Sequence, residues 1–221
     1  MPRRNGVLAT NEKYHIFNRT VGTEFIFLTK WNLRRIIDIV DYYRFPQTIR
    51  YSKFIKMPDN RKEEYYQTQI KQVPLVEIFA NSFMPNHYHF LLEQLRDNGI
   101  SQFISNTQNS FAKFFNLKKD RHGTLFQNPF KSKRIESEEQ FIHVSRYIHL
   151  NPVTAYLIEF EKLFDYPWTS FQHYMGQGKN RFINTKLIFN HFGSKEKYAK
   201  FVADNVDYQR QLKYIEHLMV D

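Results

Sequence analysis

Two apolar runs joined by a short break constrain this chain more than any other feature. Pro74-Leu75-Val76-Glu77-Ile78-Phe79-Ala80-Asn81-Ser82-Phe83 is followed by Met84-Pro85-Asn86 and then by His87-Tyr88-His89-Phe90-Leu91-Leu92-Glu93. Runs rich in branched and aromatic side chains, separated by a Pro-Asn turn signal, predict an antiparallel hairpin. Both runs are mostly apolar rather than alternating, which predicts central strands. Successive side chains of a strand point to opposite faces, so His87 and His89 share one face and Tyr88 takes the other. Two imidazoles on one face can chelate a divalent cation, although a bare His-x-His pair is more often a pair of packed or surface histidines.

Other segments supply the frame around this hairpin. Tyr14-His15-Ile16-Phe17-Asn18 has strand composition and leaves into Arg19-Thr20-Val21-Gly22. Leu33, Ile36, Ile37, Val40 and Tyr43 recur at helical spacing and predict a helix over 32–43; Ile100, Phe103, Ile104, Phe111, Phe114 and Phe115 predict another over 100–117. The residues between, 44–73, are polar and punctuated by Pro46 and Pro58, and read as an insertion or long connection. Ser137-Glu138-Glu139-Gln140 is a capping box, so a third helix is expected from Glu138, with Pro152 stopping it near Leu150. The tail contains Tyr166-Pro167-Trp168 and helical spacing after Ser194, and residues 177–221 read as a helical appendage to a unit spanning 1–176.

Charge narrows the function classes. Lys and Arg outnumber Asp and Glu by 32 to 22, giving a net charge of +10, which implies a polyanionic partner. The excess concentrates in Lys118, Lys119, Arg121, Lys131, Lys133 and Arg134, interleaved with Phe126 and Phe130, in a stretch whose Gly123 and Asn128-Pro129 read as loop. Cysteine is absent, which excludes disulfides and thiolate metal sites and suits a cytoplasmic protein. No uninterrupted run of about 18 apolar residues occurs, and the basic start lacks a secretory apolar stretch, so no membrane association is expected.

The helix after the capping box carries a second group of reactive side chains. At about 100° per residue, His143, Tyr147 and Asn151 fall along one edge, beside an apolar stripe of Phe141, Val144 and Ile148. Read by itself, Tyr147 is more readily a tyrosine at the boundary of a packed helix.

Together these segments resemble a known family. Phe83-Met84-Pro85-Asn86-His87-Tyr88-His89-Phe90-Leu91-Leu92 resembles the MPNHxHxLL stretch of the single-tyrosine HUH transposases, particularly the REP-associated tyrosine transposases. Arg146-Tyr147-Ile148-His149-Leu150-Asn151-Pro152-Val153 resembles their YIxxNPV segment, and weaker echoes occur at 14–19, 125–131 and 168–171. The blocks stand in the family's order and span about residues 14 to 176. Tyr88 departs from the pattern, where an aliphatic residue is usual, and 44–73 is long for the family.

The resemblance implies an α+β fold of the HUH endonuclease type: a ferredoxin-like antiparallel sheet with His87 and His89 on a central strand and the three helices packed on one face. It implies that His87, His89 and Asn151 hold Mg²⁺ or Mn²⁺, and that Tyr147 is the nucleophile. The implied activity is cleavage and rejoining of single-stranded, hairpin-forming DNA through a 5′-phosphotyrosine link, by a monomer or homodimer. Two other readings stand beside it: a protein of the same fold that binds hairpin DNA or RNA without cutting, and a hydrolase whose histidine pair holds a water-activating metal. The second lacks the further His or carboxylate ligands such sites need, since Glu77 and Glu93 have no partner motif.

Overall fold

The computed structural model describes residues 7–22, 24–178 and 182–211. The basic start at 1–6 and the end of the expected appendage, 212–221, lie outside the described residues.

Strands β1 (Lys13–Arg19), β2 (Val76–Met84), β3 (His87–Gln94) and β4 (Lys131–Arg134) form one four-stranded sheet in the order β2-β3-β1-β4. All three pairings are antiparallel. With helix α1 (Lys30–Tyr43) between β1 and β2, and α4 (Gly99–Lys119) between β3 and β4, the order is that of the ferredoxin-like βαββαβ fold. The predicted hairpin is β2 and β3, with Met84 opposite His87 across the Pro85-Asn86 turn.

Of these two strands only β3 is interior, however. β2 lies at the sheet edge and is nonetheless buried, because later segments cap it: Phe83 N–H donates to Trp168 O (2.8 Å), Ser170 N–H to Asn81 O (2.9 Å) and Asn184 N–H to Ile78 O (2.8 Å). A covered edge strand is desolvated on both faces and reads in sequence like a central one. Lys131–Arg134, expected as loop, pairs with β1 as the opposite edge strand β4. Its exposed lysines suit an open edge, where charge discourages pairing with another chain.

The helices occupy both faces, which corrects the expectation of a single one. Leu33, Ile36 and Val40 of α1 and Phe103, Ile104, Phe111 and Phe115 of α4 pack with Tyr14, Ile16, Tyr88, Phe90 and Leu92 of the sheet. Helix α5 (Glu138–Thr154) instead packs Phe141, Ile148, Leu150 and Val153 against Phe79, Ala80 and Leu91 on the other face. The reason is connectivity. α1 and α4 are crossovers between strands and must return over one side, whereas α5 follows the last strand and is under no such constraint.

Ser137 caps α5 by accepting from Gln140 N–H (3.1 Å), but Gln140 Oε1 takes the N–H of Glu136 (2.7 Å) rather than that of Ser137. The helix also runs through Pro152 to Thr154. An internal proline costs roughly 3 kcal/mol. Here the last turn is embedded in the core, with Leu150 and Val153 fully buried, and burial of two such side chains contributes about as much.

The segment 44–73 folds as two short helices, α2 (Tyr51–Phe54) and α3 (Asp59–Gln69). Beyond α5 come a 3₁₀ turn (Phe160–Asp165), α6 (Phe171–Tyr174), α7 (Lys186–Phe192) and α8 (Lys195–Ala203). Tyr174, Ile188, Tyr198 and Val202 join the core cluster of α5, so the tail buttresses that helix.

Candidate active site

β3 carries His87 and His89 side by side on the α5 face, with ring centroids 5.2 Å apart. Tyr88 points the other way and is buried under α4, where its hydroxyl accepts from Gln108 Nε2 (2.6 Å). An aromatic residue between the histidines is thus accommodated by the core.

Neighbouring strands complete the floor. Register places Phe17 opposite His89 and Arg19 opposite His87 on β1, and Lys131 opposite Phe17 and Lys133 opposite His15 on β4. Phe17 stacks on His89 (5.7 Å between centroids), and His15 Nε2 lies 2.9 Å from His89 Nδ1. On the other histidine, His87 Nδ1 lies 2.7 Å from Asn86 Oδ1. Desolvation, aided by the Lys133 charge, lowers the His15 pKa to about 4, which keeps this ring neutral at neutral pH.

α5 lays Tyr147 across this floor. Its ring sits edge-on to His89 (5.7 Å) and to His15 (5.8 Å). Asn151, one turn further on, is 1% exposed. Of the other polar groups on this helix, His143 accepts from Arg146 (2.7 Å), and the Arg146 guanidinium stacks on Phe201 of α8 (4.1 Å). Both are engaged on the α8 side of the helix. Further along, His149 is fully buried and bonded to Tyr198 Oη (2.8 Å) and Ser170 Oγ (2.8 Å).

The donor set suits a hard or borderline divalent cation. Among the described residues no three His, Asp or Glu side chains are arranged to hold one metal ion, so the histidine pair would be completed by a neutral donor such as Asn151, by phosphate oxygen or by water. With Nδ1 of both histidines engaged by a neighbour, Nε2 is the ring atom each could offer to a cation.

The six basic residues of the sequence separate. Lys131 and Lys133 lie on the histidine face, with Lys131 Nζ 6.0 Å from the Phe17 ring, and Arg19 flanks His87 there. Arg134 alternates to the other face and is paired with Glu12 (2.6 Å). Lys118 and Lys119 end α4, and Arg121 is held by Asn116 (3.1 Å) and Glu24 (3.5 Å). Arg19 and His15 went unassigned in the sequence because β1 reads only as a strand. Their place at the site follows from its register with β3.

A ferredoxin-like sheet with paired histidines on an interior strand, and a tyrosine-bearing helix laid over them, is the arrangement that the resemblance to the single-tyrosine HUH proteins implies. Residues 45–151 match the model of the IS200-like transposases, a span that holds His87, His89, Tyr147 and Asn151 together. This match covers just under half of the chain and supports the single-tyrosine transposase family. The fold of the chain is similar to that of a REP-associated tyrosine transposase solved bound to a REP hairpin, at 18% identity and a TM-score of 0.54, covering 80% of this chain and 87% of that one. No curated protein matches.

Proposed function

We propose that the protein is a metal-dependent endonuclease and strand transferase acting on hairpin-forming single-stranded DNA through a covalent 5′-phosphotyrosine. The observation that carries this reading is the seating of the Tyr147 ring against His89 within one chain. His87, His89 and Asn151 would hold Mg²⁺ or Mn²⁺. When bound there, the cation supplies neutralisation of the phosphate's nonbridging oxygens and orients the phosphate for in-line displacement.

Tyr147 Oη attacks phosphorus, forming an O–P bond as its proton leaves, and the P–O3′ bond breaks with the departing 3′ oxygen taking up a proton. One phosphodiester is exchanged for another, so the same or another 3′-hydroxyl can reverse the step without an external energy source. Lys131, Lys133 and Arg19 stand on the open side of the site and would take the strand's phosphates. Lys118, Lys119 and Arg121, at the end of α4, would extend that contact along the DNA. Residues 1–176 supply the catalytic groups, and the appended helices hold α5 on its own sheet, which fits a monomer acting in cis.

Protein incubated with hairpin-bearing single strands and Mg²⁺ or Mn²⁺, then denatured, should carry a DNA fragment that peptide mapping places on Tyr147. Tyr147→Phe should lose the adduct while keeping its stability, because ring packing is retained. Cleavage without a protein-linked product would refute the tyrosine mechanism in favour of a metal-activated water. Binding with no cleavage in either metal would leave a hairpin-binding protein of this fold.

A further inference from the structure

The contact between His15 and His89 belongs to neither the nucleophile nor the ligand set. Register puts His15 opposite Leu91, so its ring reaches diagonally across the strand pair to His89 Nδ1, at 2.9 Å. We propose that His15 is a positioning residue, which accepts the Nδ1–H of His89 and thereby holds the Nε2 lone pair of His89 in place for a cation. This rests on the reading of His89 as a ligand.

Two neutral imidazoles at hydrogen-bond distance share one proton, so one ring donates and the other accepts. If His15 donates, the proton of His89 sits on its Nε2 and that atom has no lone pair to offer. If His15 accepts, the proton of His89 sits on Nδ1 and Nε2 becomes the coordinating atom. Only the second arrangement is compatible with a cation on Nε2.

At His87 the same task falls to Asn86 Oδ1, 2.7 Å from Nδ1, an atom that only accepts. Each histidine of the pair thus has its Nδ1 held by a neighbour: His87 by the adjacent residue in the turn, His89 by a side chain of the next strand. The ring of His15 has little room to turn away. It is 8% exposed, lies 5.0 Å from Phe17 and meets the edge of Tyr147 at 5.8 Å. Since Tyr147 also meets His89, the contact that sets the tautomer of His89 packs directly against the ring that we assign as nucleophile.

The test reads the tautomer without relying on activity. In ¹⁵N-labelled protein without added cation, long-range ¹H–¹⁵N correlations should show the His89 proton on Nδ1. In His15→Phe the spectrum should gain the Nε2–H form, whereas His15→Gln, whose amide oxygen can accept at the same place, should keep the wild-type pattern. Titration with Mn²⁺ alone, followed by electron paramagnetic resonance, should show binding weakened about 10-fold or more in His15→Phe, the usual scale for loss of such a partner, and close to wild type in His15→Gln. A wild-type His89 protonated on Nε2, or an unchanged tautomer and Mn²⁺ affinity in His15→Phe, overturns the proposal. If His15→Phe does not fold, the wild-type and His15→Gln spectra still decide it. Wild-type protein with the expected tautomer but no Mn²⁺ binding would overturn the metal reading and leave the hydrogen-bond assignment standing.

Discussion

Burial of His149 should make the α5 region sensitive to mild acid. The ring is fully buried between Tyr198 Oη on Nδ1 and Ser170 Oγ on Nε2, with Phe171 and Tyr174 packed against it. Desolvation, with a smaller contribution from His173, lowers its pKa from 6.5 to about 3. The unfolded chain therefore binds a proton at this residue below about pH 6.5 that the folded chain refuses until about pH 3, so stability is fully present above that window and falls as pH drops through it. At about pH 5 the unfolded state gains roughly 1.5 log units of protonation over the folded state, which is about 2 kcal/mol. Urea denaturation of wild-type protein and His149→Gln at about pH 7 and about pH 5 isolates this contribution, because other histidines and carboxylates titrate alike in both. Gln keeps a polar atom for Ser170 but does not titrate, so the stability lost between the two pH values should be about 2 kcal/mol smaller in the variant. Equal losses would show that the folded state accommodates the proton and that the ring is not desolvated as described.

Further outcomes are expected. His87→Ala and His89→Ala should each abolish cation-dependent cleavage and weaken Mn²⁺ binding in the free protein, while gel-shift affinity for a hairpin stays close to wild type. Lys131→Glu with Lys133→Glu should weaken DNA binding and reduce the salt slope of log K by about 1.4 to 1.8, the counterion share of two phosphates; Arg134→Glu should change the slope little, since Arg134 faces away and is paired with Glu12. Tyr198→Phe removes the hydroxyl shared by His149 (2.8 Å) and Ser145 (3.0 Å), and should cost about 1–3 kcal/mol in urea denaturation, the penalty for stranding buried polar partners.

What could be read from residues alone followed periodicity. The hairpin, the α1 and α4 stripes and the Ser137 cap are local patterns, and each forms close to where its pattern lies. The side on which α5 packs is not local. Its apolar stripe would suit either face, and only the burial of Phe79 and Leu91 on the face away from α1 and α4 decides between them. Pro152 misleads for the same reason, since a rule about two adjacent residues was outweighed by packing with distant ones. The placement of His15, Arg19, Lys131 and Lys133 depends on strand register. A one-residue slip would send all of them to the other face, and nothing in β1 or β4 taken singly specifies that register.

The two-sided arrangement bears on how DNA could reach the site. α1 and α4 close one face of the sheet, and the α5 cluster closes the β2–β3 half of the other. Within that second face, the β1–β4 half bears the exposed side chains of Arg19, Lys131 and Lys133. His89 lies at the border between these halves, 6% exposed, with Tyr147 over it from the covered side and Phe17 beside it toward the basic edge. A phosphate approaching over β4 would meet positive charge first and the histidine pair next, and would arrive on the side of His89 away from the core of α5. Such an approach lets the tyrosine remain packed while the strand moves. The buried His149 network, which ties α5 to β2 through Ser170 and to α8 through Tyr198, fits that division: it anchors the helix that carries Tyr147, the proposed nucleophile.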